Sequence, residues 1–300
     1  MIPKIIRNTQ SLTLLRHLTS NYFNNLFGSK YRSISFESKL EGVQNGCIAN
    51  IYYELNSKIV QKKYFVKTHQ QHSSSNYVDG IIDPREIFIY IFLSKFNRCG
   101  YFIGPEEIHY YSNHLNPFDD FYIATKDVEF KTFEKLAEMP NFIQMFKIDN
   151  NYSNGILLAD LISKLFFLSD TTNNPSNFGY TKDLKLKIVD FQISEDNLEV
   201  KDMLSRFLTD NFSLTNKFEL QQYFYMKIDK KKELAKNFFK QLDINEMLDN
   251  SRLETSKVLD TNFSKHFKEL EKYKKIISKL NSYLDIVKEN FEKFSIAFKG

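Results

Sequence analysis

The chain has no tryptophan and only two cysteines, Cys47 and Cys99. Two cysteines cannot build a disulfide framework, so the sequence reads as a protein of a reducing compartment, the cytoplasm. No Cys/His group has zinc spacing, and His69 and His72 read as a local surface pair. No apolar run reaches the ~18 residues of a transmembrane segment. Nine glycines and six prolines in 300 residues exclude the collagen-like and the Gly/Pro-rich disordered classes. Large net charge is absent too. The balance of 41 basic and 37 acidic residues leaves +4, too little to argue for nucleic acid. No basic stripe with interleaved aromatics marks a nucleic-acid module, so no nucleic-acid partner is expected. One local imbalance stands out. Residues 1–36 hold no Asp or Glu but carry Lys4, Arg7, Arg16, Lys30 and Arg32. That composition resembles an organelle transit peptide. The alternative is a helix from Thr9 to Phe27, docking Leu12, Leu15, Leu18 and Phe23 on the segment that follows.

What is present is globular. Apolar residues make up 42% and aromatics 15%, enough for one large domain or two lobes with their own cores. Ser33 to Leu55 alternates, with Gly42 and Gly46 at a turn, and reads as a hairpin. Val60 to Thr68 reads as a third strand and the serine-rich Gln70 to Tyr77 as a loop. Asp83-Pro84 opens a helix: Asp suits the N-cap and Pro the first helical position. Ile87, Ile91, Phe92 and Phe96 continue it near helical period, giving a helix from Asp83 to Phe96 with Gly100 as its stop. Ile108 to Ser112 and Phe121 to Thr125 read as strands. Beyond residue 128 the pattern turns helical. Leu157 to Phe166 marks a buried helix, and Phe178 to Tyr180 and Leu186 to Val189 flank a turn at Thr181-Lys182-Asp183. The expected class is α+β. A basic segment over residues 1–32 reads as a helix, a strand-rich lobe spans 33–128, and a helical lobe spans 129–300.

Three short pieces carry chemistry: Tyr64-Phe65-Val66-Lys67, Pro84-Arg85-Glu86-Ile87-Phe88 and Lys187-Ile188-Val189-Asp190-Phe191. Between the last two, Leu168-Ser169-Asp170 enters a polar loop that reaches Asn177-Phe178-Gly179. Phosphoryl transfer asks little covalent work of a protein; it must hold a polyanion and its metal in line with an acceptor. A strand lysine such as Lys67 can reach phosphate oxygens, and a helix carboxylate such as Glu86 can fix its flexible stem. Asp190, ending a short apolar strand, offers oxygen to Mg²⁺, a hard cation. Asn177 or Asn174 offers a second oxygen ligand. Asp170 can take a proton from an acceptor hydroxyl. Gly42 and Gly46 lie between two strands, where a phosphate-covering loop would sit.

Together these residues resemble the protein-kinase-like superfamily, from about Ser33 to Ile193. Lys67 resembles the β3 lysine, Glu86 the αC glutamate, Asp170 the catalytic-loop aspartate, Asn177 the metal-binding asparagine, and Asp190-Phe191 the start of Asp-Phe-Gly. The resemblance implies a bilobal kinase-like fold with a β-rich N-lobe and an α-helical C-lobe. It also implies ATP and Mg²⁺ as ligands, and adenine on a hinge at Thr125-Lys126-Asp127-Val128, so that Lys126 and Val128 are cofactor-binding. The sequence departs from the family pattern in four places. Leu168-Ser169 stands where His-Arg is usual, the Asp170–Asn177 loop is longer, Gln192 replaces the glycine, and no Ala-Pro-Glu follows. The pattern is nearer to atypical and small-molecule kinases, and the acceptor is an unidentified protein or small-molecule hydroxyl. The alternative is a pseudokinase acting as a binding or scaffold module.

The C-terminal region supplies that alternative. Phe263, Phe267, Leu270, Ile277, Leu280, Leu284, Val287, Phe291, Phe294 and Phe298 step by three and four. This heptad-like stripe suits a helical partner, or one or two long helices packed on the second lobe.

Overall fold

A computed structural model of the protein describes residues 9–38, 46–68, 83–96, 102–115, 117–118, 120–148, 150–169, 171, 174–189, 191–200, 202–209, 228–240, 243–263 and 270–299. The fold is α+β, with a five-stranded antiparallel sheet in the N-terminal half and helices dominating the rest. Two compact units account for it, and neither is one stretch of chain. The first takes residues 1–83, 106–127 and 256–276, the second 84–105, 128–255 and 277–300.

The first unit opens with α1 (Thr9–Phe27), the helix expected there. The sheet follows: β1 (Tyr31–Ser38), β2 (Gly46–Leu55), β3 (Lys58–Thr68), β4 (His109–Ser112) and β5 (Phe121–Lys126), in spatial order β1-β2-β3-β5-β4. The β2–β3 hairpin closes at Leu55↔Lys58 through Asn56 and Ser57, with φ of 51° and 60°. Two positive φ values are what a right-twisting two-residue turn requires. Strand periodicity of two then sorts the side chains. Cys47, Ala49, Ile51, Tyr64, Val66, Tyr111, Tyr122 and Ala124 form one cluster with Leu15 and Phe23 of α1, and Leu18 packs at its edge. Phe65 and Lys67, one step out of phase, belong to the opposite face.

The second unit is built on α2 (Pro84–Ser94). Pro84 through Leu93 are all buried, so this helix is enclosed rather than amphipathic. It ends at Ser94, two residues before the expected Phe96. The amides of Lys95 and Phe96 bond three residues back, to Phe92 and Leu93 (both 3.1 Å), in a tighter turn. Next come β6 (Lys131–Thr132), α3 (Phe133–Ala137), α4 (Phe142–Ile148) and α5 (Asn150–Phe166). The hairpin β7 (Phe178–Tyr180) and β8 (Leu186–Ile188) is followed by α6 (Glu195–Glu199), α7 (Met203–Thr209) and α8 (Ile228–Lys240). Strands β6-β7-β8 make a small antiparallel sheet.

Two long helices end the chain, α9 (Ile244–Phe263) and α10 (Leu270–Lys299). They correct the expectation of a partner surface from Phe263 to Phe298. Leu280, Leu284, Val287, Phe291, Phe294 and Phe298 are buried in the second unit, where Phe291 meets Phe92 and Phe166, Phe294 meets Phe207 and Phe298 meets Phe239. Phe263 is buried in the first unit on Phe118 and Phe121. The buried residue in the next turn is Ile276, not Ile277, and Phe267 lies outside the described residues. Among the described residues, no helix is long and apolar enough to cross a membrane.

Candidate functional site

In the first unit, Lys67 occupies β3 opposite Gly46 of β2 and Ile123 of β5. It is only 3% exposed. A lysine held out of water must be compensated, so this is not an ordinary solvated surface lysine. Gly46 is buried at the start of β2; Gly42 lies outside the described residues. The expected hinge leaves β5. Lys126 Nζ reaches Glu106 at 3.1 Å and Glu107 at 3.5 Å, and the Glu106 carboxylate raises the lysine above its usual range. Glu107 also accepts from Lys62 (2.7 Å) and Tyr64 (2.8 Å). The backbone here is committed as well. The Lys126 amide donates to Glu106 O at 3.0 Å and the Asp127 amide to Lys63 O at 2.7 Å. Val128, half-buried, begins the next stretch of the second unit.

In the second unit, Glu86 lies in the first turn of α2 and is 6% exposed. Asp170 and Asp190 lie outside the described residues, but the residues around them are held. The Val189 amide donates to Asn177 O at 2.9 Å, extending the pairing Phe178↔Ile188 of the hairpin. This brings buried Asn177 beside the residue that precedes Asp190 in sequence. The Ser169 amide donates to Gln192 O at 2.9 Å, and Leu168 bridges Ile193. The chain before Asp170 thus pairs with the chain after Asp190. Asn174, the rival of Asn177, is exposed, and its Oδ1 accepts from the Ser176 amide at 3.1 Å. That is a side chain closing its own turn.

Three residues that motif reading did not single out organise this region. Tyr90 donates to Val189 O at 3.2 Å, and its ring meets Phe191 edge-on at 4.8 Å. Arg85 donates to Glu195 at 2.6 Å. Gly179 of Asn177-Phe178-Gly179 is a packing requirement: a Cβ there would lie 2.0 Å from Lys131 O. Arg85 and Gly179 carried a sequence signal, their places beside Glu86 and after Asn177-Phe178; Tyr90 carried none.

Asn177 and Asp190, the residues expected to hold magnesium, are of the hard oxygen-donor type that Mg²⁺ takes; among the described residues, no three or more His, Cys, Asp or Glu gather as a group that could hold a metal. Elsewhere, Cys47 is a free buried thiol pushed up to about 12 by burial, which makes it inert. His69, His72 and Cys99 lie outside the described residues.

No protein-family model matches the chain, and no curated protein matches it. Among solved structures, the chain is similar to a MAP kinase, LmaMPK10 from Leishmania major, at 13% identity and a TM-score of 0.33. That similarity covers 77% of this chain and 61% of the kinase, so the chain spans less than two thirds of that protein's length. The functional assignment therefore rests on the residues themselves.

Proposed function

We propose that the protein is an ATP-dependent phosphotransferase of atypical protein-kinase-like type, acting on a protein or small-molecule hydroxyl. The observation that most supports this reading is the Val189–Asn177 backbone bond, 2.9 Å, which brings Asn177, rather than exposed Asn174, beside the residue that precedes Asp190 in sequence. The burial of Lys67 and Glu86 supports it, because sequestered charges are retained where they do work. In this reading Lys67 binds phosphate oxygens and Glu86 serves as the second charged residue of the motif set. Asn177 and Asp190 would hold Mg²⁺, which when bound neutralises charge on the transferring group. Asp170 accepts the proton of the acceptor hydroxyl. Gly42, Gly46, Lys126 and Val128 line the nucleotide in the same scheme. The pseudokinase alternative rests on the degenerate family pattern and on the C-terminal stripe as a docking surface; of that stripe, Phe263, Leu280, Leu284, Val287, Phe291, Phe294 and Phe298 are buried in the protein's own core, and Leu270 is exposed.

A titration of the full chain with ATP, with and without Mg²⁺, followed by a turnover assay, tests the reading. Asp170→Ala is expected to cut phosphoryl transfer by about 10²–10⁴-fold, the usual worth of a general base, with ATP affinity nearly unchanged. A parent protein that binds no nucleotide with any divalent metal would overturn the assignment.

A further inference from the structure

Within the second unit, the helix that carries Glu86 is tied twice to the chain around Asp190. Tyr90 holds Val189 through its hydroxyl and Phe191 through its ring. Arg85 holds Glu195, five residues beyond Asp190. The Arg85 side chain is 2% exposed and its Nη2 donates to Glu195 Oε1 at 2.6 Å, while the Glu195 side chain is 66% exposed. The guanidinium also lies over the Tyr283 ring, 5.8 Å from its centroid, and Lys279 Nζ approaches the same Glu195 oxygen at 3.9 Å. Glu195 begins α6, whose N-cap Ser194 donates its amide to Phe167 O at 2.9 Å. The carboxylate is therefore presented from an anchored backbone to a buried cation.

We propose that the Arg85–Glu195 pair is a positioning clamp: it sets the first turn of α2, and so Glu86, relative to the chain on either side of Asp190. The inference rests on the phosphotransferase reading and deepens it. Arg85 and Glu86 are consecutive, so the backbone that seats the guanidinium also seats the carboxylate. The contact is a single charge-assisted Nη2–Oε1 bond, short enough to fix the distance between the two side chains. Removing the carboxylate takes this counter-charge from a buried guanidinium and loosens the tie between the first turn of α2 and the start of α6. Glu195 is part of the chain, so the clamp needs no added phosphate or ligand to close. Neither residue takes a proton from the acceptor; both act by fixing the course of the chain that precedes and follows Asp190, the proposed metal side of the site.

The test is ATP affinity of the full chain, in Mg²⁺ and in EDTA, for the parent, Glu195→Gln and Glu195→Asp, with the thermal midpoint measured alongside. Glu195→Gln is expected to weaken binding in Mg²⁺ about 10-fold, the lower end for loss of an outer-shell partner, and to change binding in EDTA less than about twofold. Glu195→Asp keeps the charge and should recover most of the loss. A clamp that only stabilises the fold would lower the midpoint and weaken both titrations alike, and that result overturns the proposal. So does unchanged Mg²⁺-dependent affinity in Glu195→Gln. If the parent itself binds no ATP in either condition, the phosphotransferase reading has failed first, and the clamp's role toward Glu86 fails with it.

Discussion

Gly179 and Asn177 sit two residues apart, and each is constrained for a different physical reason. At Gly179 the constraint is space. The backbone of Lys131 and Thr132 pairs with Tyr180 and Gly179, so close that a methyl group would meet Lys131 O at 2.0 Å. Gly179→Ala must push β6 away from β7 and should cost about 1–3 kcal/mol, the usual range for overpacking, in urea unfolding. A variant as stable as the parent would show that β6 gives way freely. At Asn177 the proposed constraint is chemistry, as a ligand of Mg²⁺. Asn177→Ala is expected to weaken the Mg²⁺ dependence of ATP binding. Asn174→Ala should leave it and cost only the turn bond to Ser176, about 0.5–1.5 kcal/mol. If Asn174→Ala proves the damaging change in a metal titration, the assignment of the asparagine is reversed.

At the scale of elements, α2 and α10 share one aromatic core. Phe92 packs on Phe166 and Phe291 at 5.0 and 5.8 Å, and Phe166 meets Phe291 at 5.4 Å. Polar anchors fix the same interface: Tyr283 donates to Phe166 O at 3.0 Å, and Asn290 to Lys164 O at 3.0 Å and Leu165 O at 3.1 Å. Those carbonyls belong to the last turn of α5, where helical partners run out. Phe291→Ala should therefore cost about 3–5 kcal/mol, as large-to-small changes in aromatic cores do. Ile296, 82% exposed on the same helix, should tolerate alanine within about 0.5 kcal/mol. Chemical unfolding of the two variants distinguishes them. Equal small effects would mean that the stripe is not core, and would return it to the surface.

At the scale of the whole molecule, acid should destabilise the protein through His109. The ring lies among Tyr22, Phe23 and Tyr64 at 5.6, 5.2 and 5.2 Å, bonds Tyr22 OH through Nδ1 at 3.2 Å, and leaves Nε2 buried without a hydrogen-bond partner. Burial pushes its pKa down to about 4, with Glu107 opposing and Lys62 assisting. An unfolded histidine titrates near ~6.5. Between these values the unfolded chain binds the proton and the folded chain does not. Stability therefore rises with pH across that window and is lost as pH falls toward 4. Because the ring joins α1 to the sheet, the loss should begin with α1. Urea unfolding at pH 7 and pH 5 should show a larger drop for the parent than for His109→Gln; equal drops would remove His109 as the cause.

The sequence by itself determined the elements whose signal is local. Helical spacing in Leu12, Leu15, Leu18 and Phe23 marked α1, alternation marked β1 to β3, and the turn residues Thr181-Lys182-Asp183 marked the β7–β8 hairpin. Order and spacing singled out Lys67, Glu86 and Asn177, which the structure buries, while Asp170, Asp190 and Gly42 lie outside the described residues. Only the tertiary structure decided what covers each face. A periodic stripe states that a helix has an apolar side and is silent on whether a partner or the same chain buries it, so α10 could be read either way. Lys131–Thr132 is too short to alternate, so β6 had no signal of its own. Arg85 and Glu195 are 110 residues apart, and no local pattern encodes an ion pair over that separation. Burial and pairing at long range arise from the folded arrangement of all elements at once, which a one-dimensional period cannot carry.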